Sequence, residues 1–136
     1  MLKINNYNPE MLTKFNKSKI FTFANPYSYY LLDENIVNEF DAIFADGILL
    51  VLLNNFFSNN KINRFSFDFT SLAPIVFNFC EIEKLNVAIV GGSEYEIKIA
   101  RFVIESKYPS INIVCASSGY FDSPSEIIGI LADANV

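Results

Sequence analysis

The segment Asn86-Val-Ala-Ile-Val90-Gly91-Gly92 decides the fold class. An apolar run that ends in two glycines predicts a buried strand followed by a tight turn. Residues 93–107 then carry apolar side chains at the spacing of one helix face: Ile97, Ala100, Val103 and Ile104. A second apolar run, residues 111–116, follows Pro109. The order of strand, helix and strand predicts a parallel pair with a helical crossover.

The same alternation extends toward the N-terminus. We predict strands over residues 20–24 and 41–45, and helices over 9–15, 27–35, 48–57, 68–84 and 124–134. Residues 48–57 are apolar almost all round, which predicts a fully buried helix. Strands that are continuous apolar runs are typical of a sheet covered on both faces. The sequence therefore predicts an α/β fold: a Rossmann-like parallel sheet with helices on both faces, in a single domain of residues 1–136.

Composition excludes several classes of protein. Of the 136 residues, 51% are hydrophobic and 18% are charged, so the chain can bury a core and disorder is excluded. A net charge of −5 argues against nucleic acid as a partner. The chain has no histidine, so Ser-His and Cys-His hydrolases are excluded, and any general base is an Asp or Glu. Two cysteines without a Cys/His cluster predict neither a disulfide scaffold nor a metal site.

The termini and apolar runs predict no targeting or membrane-spanning segment. The first residues, Met-Leu-Lys-Ile-Asn-Asn, are too polar for a signal peptide. The longest apolar run, residues 48–53, is far shorter than the roughly 20 residues that a membrane span needs. We therefore expect a cytoplasmic protein.

Polar residues follow the predicted strands, and parallel α/β sheets bind ligands at that edge. They are Asn25, Asp46, the Gly91-Gly92-Ser93 turn and the Ser117-Ser118-Gly119 turn. Asp46 can act as a general base there, or it can cap the following helix. Gly91-Gly92-Ser93 can cradle a phosphate, or it is only a tight turn, and Glu94 and Glu96 would repel an anion.

Two further residues have alternative roles. Arg64 can hold a diphosphate or carboxylate in a bidentate contact, or it can pair with Asp68. Asn25 can offer its amide to sugar hydroxyl groups, or it can cap a helix.

Several segments, in this order and spacing, resemble the WecG/TagA/CpsF family of bacterial glycosyltransferases (glycosyltransferase family 26). They are Phe21-Thr22-Phe23-Ala24-Asn25, Phe44-Ala45-Asp46-Gly47, Arg64, Val90-Gly91-Gly92, Tyr108-Pro109 and Gly119-Tyr120-Phe121. The family makes teichoic-acid linkage units, enterobacterial common antigen and capsular polysaccharide. The resemblance covers the chain from about Ile20 onward.

The resemblance implies an inverting transfer of an N-acetylmannosamine-like hexose from a UDP-sugar to a polyprenyl-diphosphate-linked sugar, without a metal or cofactor. Asp46 would be the base and Arg64 would stabilise the leaving diphosphate. The remaining residues implied to bind substrate are Thr22, Asn25, Gly47, Gly91, Gly92, Ser93 and Gly119. The enzyme would act in the cytoplasm, with at most weak peripheral contact at the inner face of the cell membrane.

The sequence departs from the family pattern at three places. Phe23 stands where the family usually has Thr, with Thr22 displaced by one, and no Gly follows Arg64 before Asp68. The family continues with a further strand, a Pro-Lys-Gln-Glu segment and a C-terminal appendage, whereas this chain has no Gln. We therefore expect a catalytic core that self-associates through an exposed edge or patch. The alternatives are a nucleotide-binding module without catalysis and an interaction domain.

Overall fold

The structure is a computed structural model that describes residues 3–12 and 18–134. The chain divides into two compact units, Met1–Pro74 and Ile75–Val136, which we describe one at a time. The predicted helix from Pro9 is a short 3₁₀ helix, Pro9–Leu12, and its predicted end at Phe15 lies outside the described residues. Among the described residues, no helix is long and apolar enough to cross a bilayer.

The first unit contains the predicted strands close to their predicted bounds. Its elements are β1 (Phe21–Ala24), α1 (Pro26–Leu31), α2 (Glu34–Val37), β2 (Ala42–Ala45) and α3 (Ile48–Phe57). The single helix predicted over 27–35 is two short helices. The chain becomes extended at Leu32, and Asp33 then caps α2 by accepting a hydrogen bond from the Asn35 N–H at 2.8 Å.

Strands β1 and β2 pair in parallel, with Phe21 opposite Ala42 and Ala24 opposite Ala45. Successive side chains of β2 alternate between two apolar clusters, because a strand presents its residues to opposite faces in turn. Ile43 and Ala45 pack with Leu50 and Val51 of α3. Phe44 packs on the other face with residues that include Phe21, Phe23, Phe65 and Leu72. Strand β2 is therefore covered on both faces, as its continuous apolar sequence predicts.

The prediction of full burial for residues 48–57 is wrong. The bounds of α3 are as predicted, but only Leu50, Val51 and Asn54 are buried. Exposed apolar side chains cover the rest of the helix: Ile48, Leu49, Leu52, Leu53, Phe56 and Phe57. The apolar core lies along one side of α3 only, and a sequence that is apolar all round does not tell which side that is.

The remaining elements are α4 (Leu72–Ile82), β3 (Asn86–Val90), α5 (Glu94–Lys107), β4 (Asn112–Ser117) and α6 (Pro124–Asp133). In the second unit, β3 and β4 pair in parallel, with a register irregularity between Val87 and Ala88. The predicted stripe of α5 is confirmed at Ile97 and Ile104, which are both buried.

The α/β class and the parallel pairing are confirmed. Within the described residues the strands form two sheets of two strands, β1–β2 and β3–β4, where the sequence predicts one. On β2, the edge away from β1 is occupied by other backbone. The Asn5 N–H donates to the Ile43 carbonyl at 2.8 Å, and the Phe65 N–H donates to the Ala45 carbonyl at 2.9 Å. That edge of β2 is therefore closed to another strand.

Candidate active site

The ends of β1 and β2 bring Asn25 and Asp46 to the same edge of the first sheet. Ala24 is opposite Ala45 in the register, so the residue after each strand lies beside the other. The Asp46 N–H donates to the Ala24 carbonyl at 2.8 Å, which extends the pairing by one residue. The predicted convergence of these two residues is therefore present.

Asn25 caps α1, which is one of the two roles predicted for it. Its Oδ1 accepts hydrogen bonds from the backbone N–H groups of Tyr27 at 3.0 Å and Ser28 at 2.9 Å. The Ser28 hydroxyl in turn accepts from the Asn25 N–H at 2.9 Å, which completes a capping box. The cap uses the carbonyl oxygen of the side chain, so the Nδ2 group of Asn25 is left as a hydrogen-bond donor.

Asp46 does not cap α3, so that alternative is wrong. Gly47 occupies the cap position and makes no side-chain hydrogen bond there. Its φ of 140° is a conformation that residues with a side chain rarely adopt. The glycine thus turns the chain directly into α3, and the Asp46 carboxylate points to Arg64 instead of the helix N-terminus.

Arg64 reaches this edge because its backbone pairs with the end of β2. An isolated parallel bridge joins Ala45 to Arg64. The approach to Arg64 is held by asparagine side chains. Asn55 donates to the Ile62 carbonyl at 2.9 Å and accepts from the Ile62 N–H at 2.8 Å. Asn6 bonds the backbone of Lys61 and Asn63. These side-chain amides satisfy backbone N–H and C=O groups of residues 61–63, as the backbone of a neighbouring strand would.

The guanidinium of Arg64 lies between two carboxylates. Its Nη2 is 3.3 Å from Asp46 Oδ1 and 3.2 Å from Asp68 Oδ2. We call Asp46, Arg64 and Asp68 the Arg64 cluster. The side chain of Asp46 is 43% exposed and that of Arg64 is 40% exposed, so both are open to a ligand from solvent. Within the described residues Arg64 bonds only through Nη2, which leaves its Nη1 and Nε N–H groups as donors.

Asp68 is the most constrained member of the Arg64 cluster. Its carboxylate accepts hydrogen bonds from the Ser66 hydroxyl, from the Thr70 hydroxyl at 2.6 Å and from the Thr70 N–H at 2.8 Å. These bonds, led by that from Ser66, hold the pKa of Asp68 far below its usual range, and Arg64 lowers it further. Asp68 therefore stays ionised and holds the guanidinium beside Asp46.

Thr22 does not lie at the end of its strand. It is half-buried within β1 opposite Ile43. Asn25 is three residues further along the chain, and a rise of about 3.3 Å per residue puts the two about 10 Å apart. The structure thus places Thr22 behind the polar edge.

The predicted glycines of the second unit belong to one close-packed pair of turns. Gly91 and Gly92 follow β3 with φ values of 152° and 63°. The Gly119 N–H donates to the Gly92 carbonyl at 3.0 Å. A Cβ on Gly119 would lie 2.9 Å from Gly91 Cα, so only glycine fits. The tight-turn alternative thus accounts for these residues, and a phosphate contact stays a prediction.

Ser93 caps α5, and a carboxylate lies at the same helix end. Glu96 Oε2 accepts from the Ser93 N–H at 2.7 Å and from its hydroxyl at 2.8 Å. The backbone bond from Ser93, followed by the hydroxyl bond, lowers the pKa of Glu96 below its ordinary value. A negative group therefore already occupies the place where a phosphate was predicted.

Sequence reasoning missed the residues that hold the site. Ser66 is only 3% exposed and donates to Asp68. The spacing of Ser66, Asp68 and Thr70 at every second residue is the sequence pattern from which this hydrogen-bonded turn could have been predicted. Asn6 and Asn55, which fix the approach to Arg64, were equally missed, because their role depends on contacts with other segments of the chain. No group of three or more Cys, Asp or Glu side chains that could hold a metal ion occurs in residues 3–12 and 18–134.

Comparison with known proteins agrees with the motifs. The sequence model of the Glycosyl transferase WecG/TagA/CpsF family matches residues 3–135. A curated relative is the UDP-Gal:alpha-D-GlcNAc-diphosphoundecaprenol beta-1,4-galactosyltransferase of Shigella boydii, which is 44% identical over 108 residues. That match covers 79% of this chain and 46% of the relative, so the chain spans about half of the relative's length.

Proposed function

Because the chain belongs to the WecG/TagA/CpsF family of glycosyltransferases, we propose that it transfers a hexose from a UDP-sugar to a sugar on polyprenyl diphosphate, with inversion. The observation that carries this proposal is the Arg64 cluster. It places the solvent-open carboxylate of Asp46 within 3.3 Å of a guanidinium at the carboxyl ends of two parallel strands. A general base and a cation beside each other are what the transfer requires.

In the proposed reaction, Asp46 takes the proton from the acceptor hydroxyl. The hydroxyl oxygen forms a bond to the anomeric carbon of the donor sugar as the bond from that carbon to the diphosphate oxygen breaks. The electron pair of the broken bond leaves with UDP. Because attack and departure occur on opposite faces of the carbon, the anomeric configuration inverts.

Arg64 acts on the leaving group. Its Nη1 and Nε N–H groups meet the diphosphate, where negative charge accumulates as the bond breaks. Asp68 keeps the guanidinium in place through the contact at 3.2 Å. Asp68 is therefore a positioning residue, which acts through Arg64.

The other predicted residues have less direct roles in this proposal. Asn25 offers its Nδ2 group to a sugar hydroxyl, and Gly47 keeps the backbone beside Asp46 free of a side chain. In the second unit, nucleotide contacts at Gly91, Gly92, Ser93 and Gly119 stay predictions, and the Glu96 carboxylate on Ser93 opposes a phosphate there. Thr22 supports the strand end from within β1.

The relative favours a particular donor and acceptor. By its name, the relative transfers galactose from UDP-galactose to N-acetylglucosamine on diphosphoundecaprenol. We propose the same donor and acceptor for this chain. UDP-N-acetylmannosamine is the second donor to test, because the family motifs alone favour it. In this proposal, residues 1–136 contain the catalytic core, which works in the cytoplasm at the inner face of the membrane in surface polysaccharide synthesis.

The test is transfer from a radiolabelled donor to a synthetic N-acetylglucosaminyl-diphosphate lipid, with the linkage assigned by NMR. We expect a β-linked disaccharide lipid from UDP-galactose. Titration calorimetry with UDP separates the alternatives: UDP binding without transfer would mean a nucleotide-binding module. Neither binding nor transfer would overturn both functions and favour an interaction domain.

A further inference from the structure

An apolar groove runs between α1 and α3 in the first unit. It has a volume of about 200 Å³ and is lined by Ile4, Pro26, Tyr29, Leu50, Leu53, Asn54 and Phe57. The amide of Asn54 is engaged with the Asn60 carbonyl at 2.9 Å. The groove therefore offers hydrocarbon and aromatic surface to an occupant. We call it the α1–α3 groove.

The surface beside the groove is also apolar and open. On α3, Leu52 is 59% exposed and Phe56 is 82% exposed, and on α1 Tyr30 is 85% exposed. Neither α1 nor α3 contains a charged residue. A continuous apolar surface of this kind on a helix marks a place where another apolar group binds.

The groove begins where the Arg64 cluster lies. Pro26, which lines the groove, directly follows Asn25. A Cβ on Gly47 would lie 3.7 Å from Pro26 Cδ, so Pro26 packs against the residue that follows Asp46. From there the lining continues along α3 from Leu50 to Phe57. A single ligand can therefore touch the cluster and the groove together.

We propose that the α1–α3 groove and the exposed face of α3 bind the isoprenoid chain of the lipid-linked acceptor. This inference rests on the proposed function, which puts the sugar of that acceptor at Asp46. The acceptor joins a sugar, a diphosphate and a hydrocarbon chain in one molecule. A surface that changes from charged at Arg64 to uncharged and largely apolar past Pro26 matches that order of groups. The continuity of the groove with the Arg64 cluster selects the hydrocarbon chain of the acceptor as the occupant.

The proposal is tested with Phe57→Asn and Leu53→Asn in the full chain. Phe57 is 75% exposed, so its replacement leaves the fold intact, and Phe102→Asn on α5 is the matched control at 71% exposure. We expect KM for a long-chain acceptor to rise at least fivefold in both groove variants. We expect KM for a short-chain acceptor to stay within twofold of the unmodified chain in these variants. For Phe102→Asn, we expect KM for both the long-chain and the short-chain acceptor to stay within twofold. Equal effects on long and short acceptors would overturn the proposal.

A second measurement does not depend on catalysis. A diazirine-bearing isoprenyl diphosphate is photo-crosslinked without donor, and the labelled peptides are mapped. Label on α1 and α3, reduced in Phe57→Asn, supports the groove even if transfer is absent, in which case the proposed function alone fails. Label elsewhere overturns the groove.

Two other occupants give different results. If the face binds the bilayer itself, vesicles of phosphatidylethanolamine and phosphatidylglycerol without acceptor will bind the chain, and Phe57→Asn will abolish that binding. If a second copy covers it, sedimentation velocity will show a dimer that Phe57→Asn dissociates, with KM unchanged. Either result would overturn the proposal.

Discussion

Asp46 and Arg64 lie 18 positions apart in the sequence, yet Arg64 Nη2 is 3.3 Å from Asp46 Oδ1, because both residues lie at the end of β2. Asp46 follows the strand, and the backbone of Arg64 pairs with its last residue, Ala45. The contact depends on backbone pairing at both residues as well as on the two flexible side chains. A site built in this way keeps the two groups together before a substrate arrives.

Replacing Asp46 by Asn should abolish most of the transfer. The amide cannot take the proton of the acceptor hydroxyl, and loss of a general base costs about a hundred- to ten-thousandfold in rate. We expect kcat to fall by that amount while the Kd for UDP, measured by calorimetry, stays within twofold. Asp33→Asn is the control, since it removes a carboxylate from the same unit and retains the cap of α2. Unchanged transfer in Asp46→Asn would remove Asp46 from the base role.

Replacing Arg64 by Lys should not restore what Arg64→Ala loses. Lysine keeps the charge but lacks the planar fork that bonds carboxylates and a diphosphate at the same time. We expect kcat to fall about a hundredfold in Arg64→Ala, and Arg64→Lys to recover less than a tenth of the activity. The control is Arg101→Lys on α5, whose guanidinium pairs with Glu105 at 2.8 Å and donates to the Ile113 carbonyl at 3.3 Å. Wild-type rates in Arg64→Lys would show that charge alone is needed.

The stability of the chain should depend on pH through Asp68. The folded state lowers the pKa of Asp68, so the stability it contributes is present above its unfolded pKa of about 3.9. That contribution is lost as the pH falls through the lower folded pKa. We expect Asp68→Asn to have a lower urea midpoint than the unmodified chain at pH 7, with the two midpoints closer at pH 3. A constant difference between them would contradict this assignment.

Replacing Gly47 by Ala should destabilise the fold and reduce transfer. Alanine at a φ of 140° costs about 1–3 kcal/mol of folding free energy, and any relief of the strain moves Asp46. Gly129→Ala is the matched control, because that glycine lies within α6 with open space around it. It should stabilise the fold by about 0.5–1 kcal/mol. Urea unfolding measures the change in folding free energy for both variants. A Gly47→Ala chain as stable as Gly129→Ala would refute the argument.

Local patterns predicted the elements well because they depend on neighbouring residues. The bounds of α3 and β3 were predicted to the residue, and Asn25 and Asp46 were placed at one edge from the order of strands. The position of Arg64 beside them did not follow from that order, because it depends on a backbone bridge to Ala45. The motifs also predicted the family, which the match over residues 3–135 confirms. The catalytic roles of Asp46 and Arg64 stay predictions.

What could not be predicted depends on contacts between distant segments. The pairing of Asn5 and Phe65 with β2 could not be predicted, because nothing in the pattern of the strand shows that these distant residues take its second edge. The Asp46 cap was predicted because Asp is a favoured cap, and a glycine in an unusual conformation took that position. The buried side of α3 is likewise chosen by the core that it meets.

The Arg64 cluster has one positive side chain and two negative ones, all about 40% exposed. At a distance, a nucleotide sugar therefore meets net repulsion from this cluster, and the guanidinium attracts the diphosphate only at close range. Repulsion between exposed charges is screened over about 10 Å at 0.1 M ionic strength. If the proposed function holds, moderate salt should speed the encounter between this chain and a UDP-sugar, which is the opposite of the behaviour of anion sites surrounded by lysine and arginine.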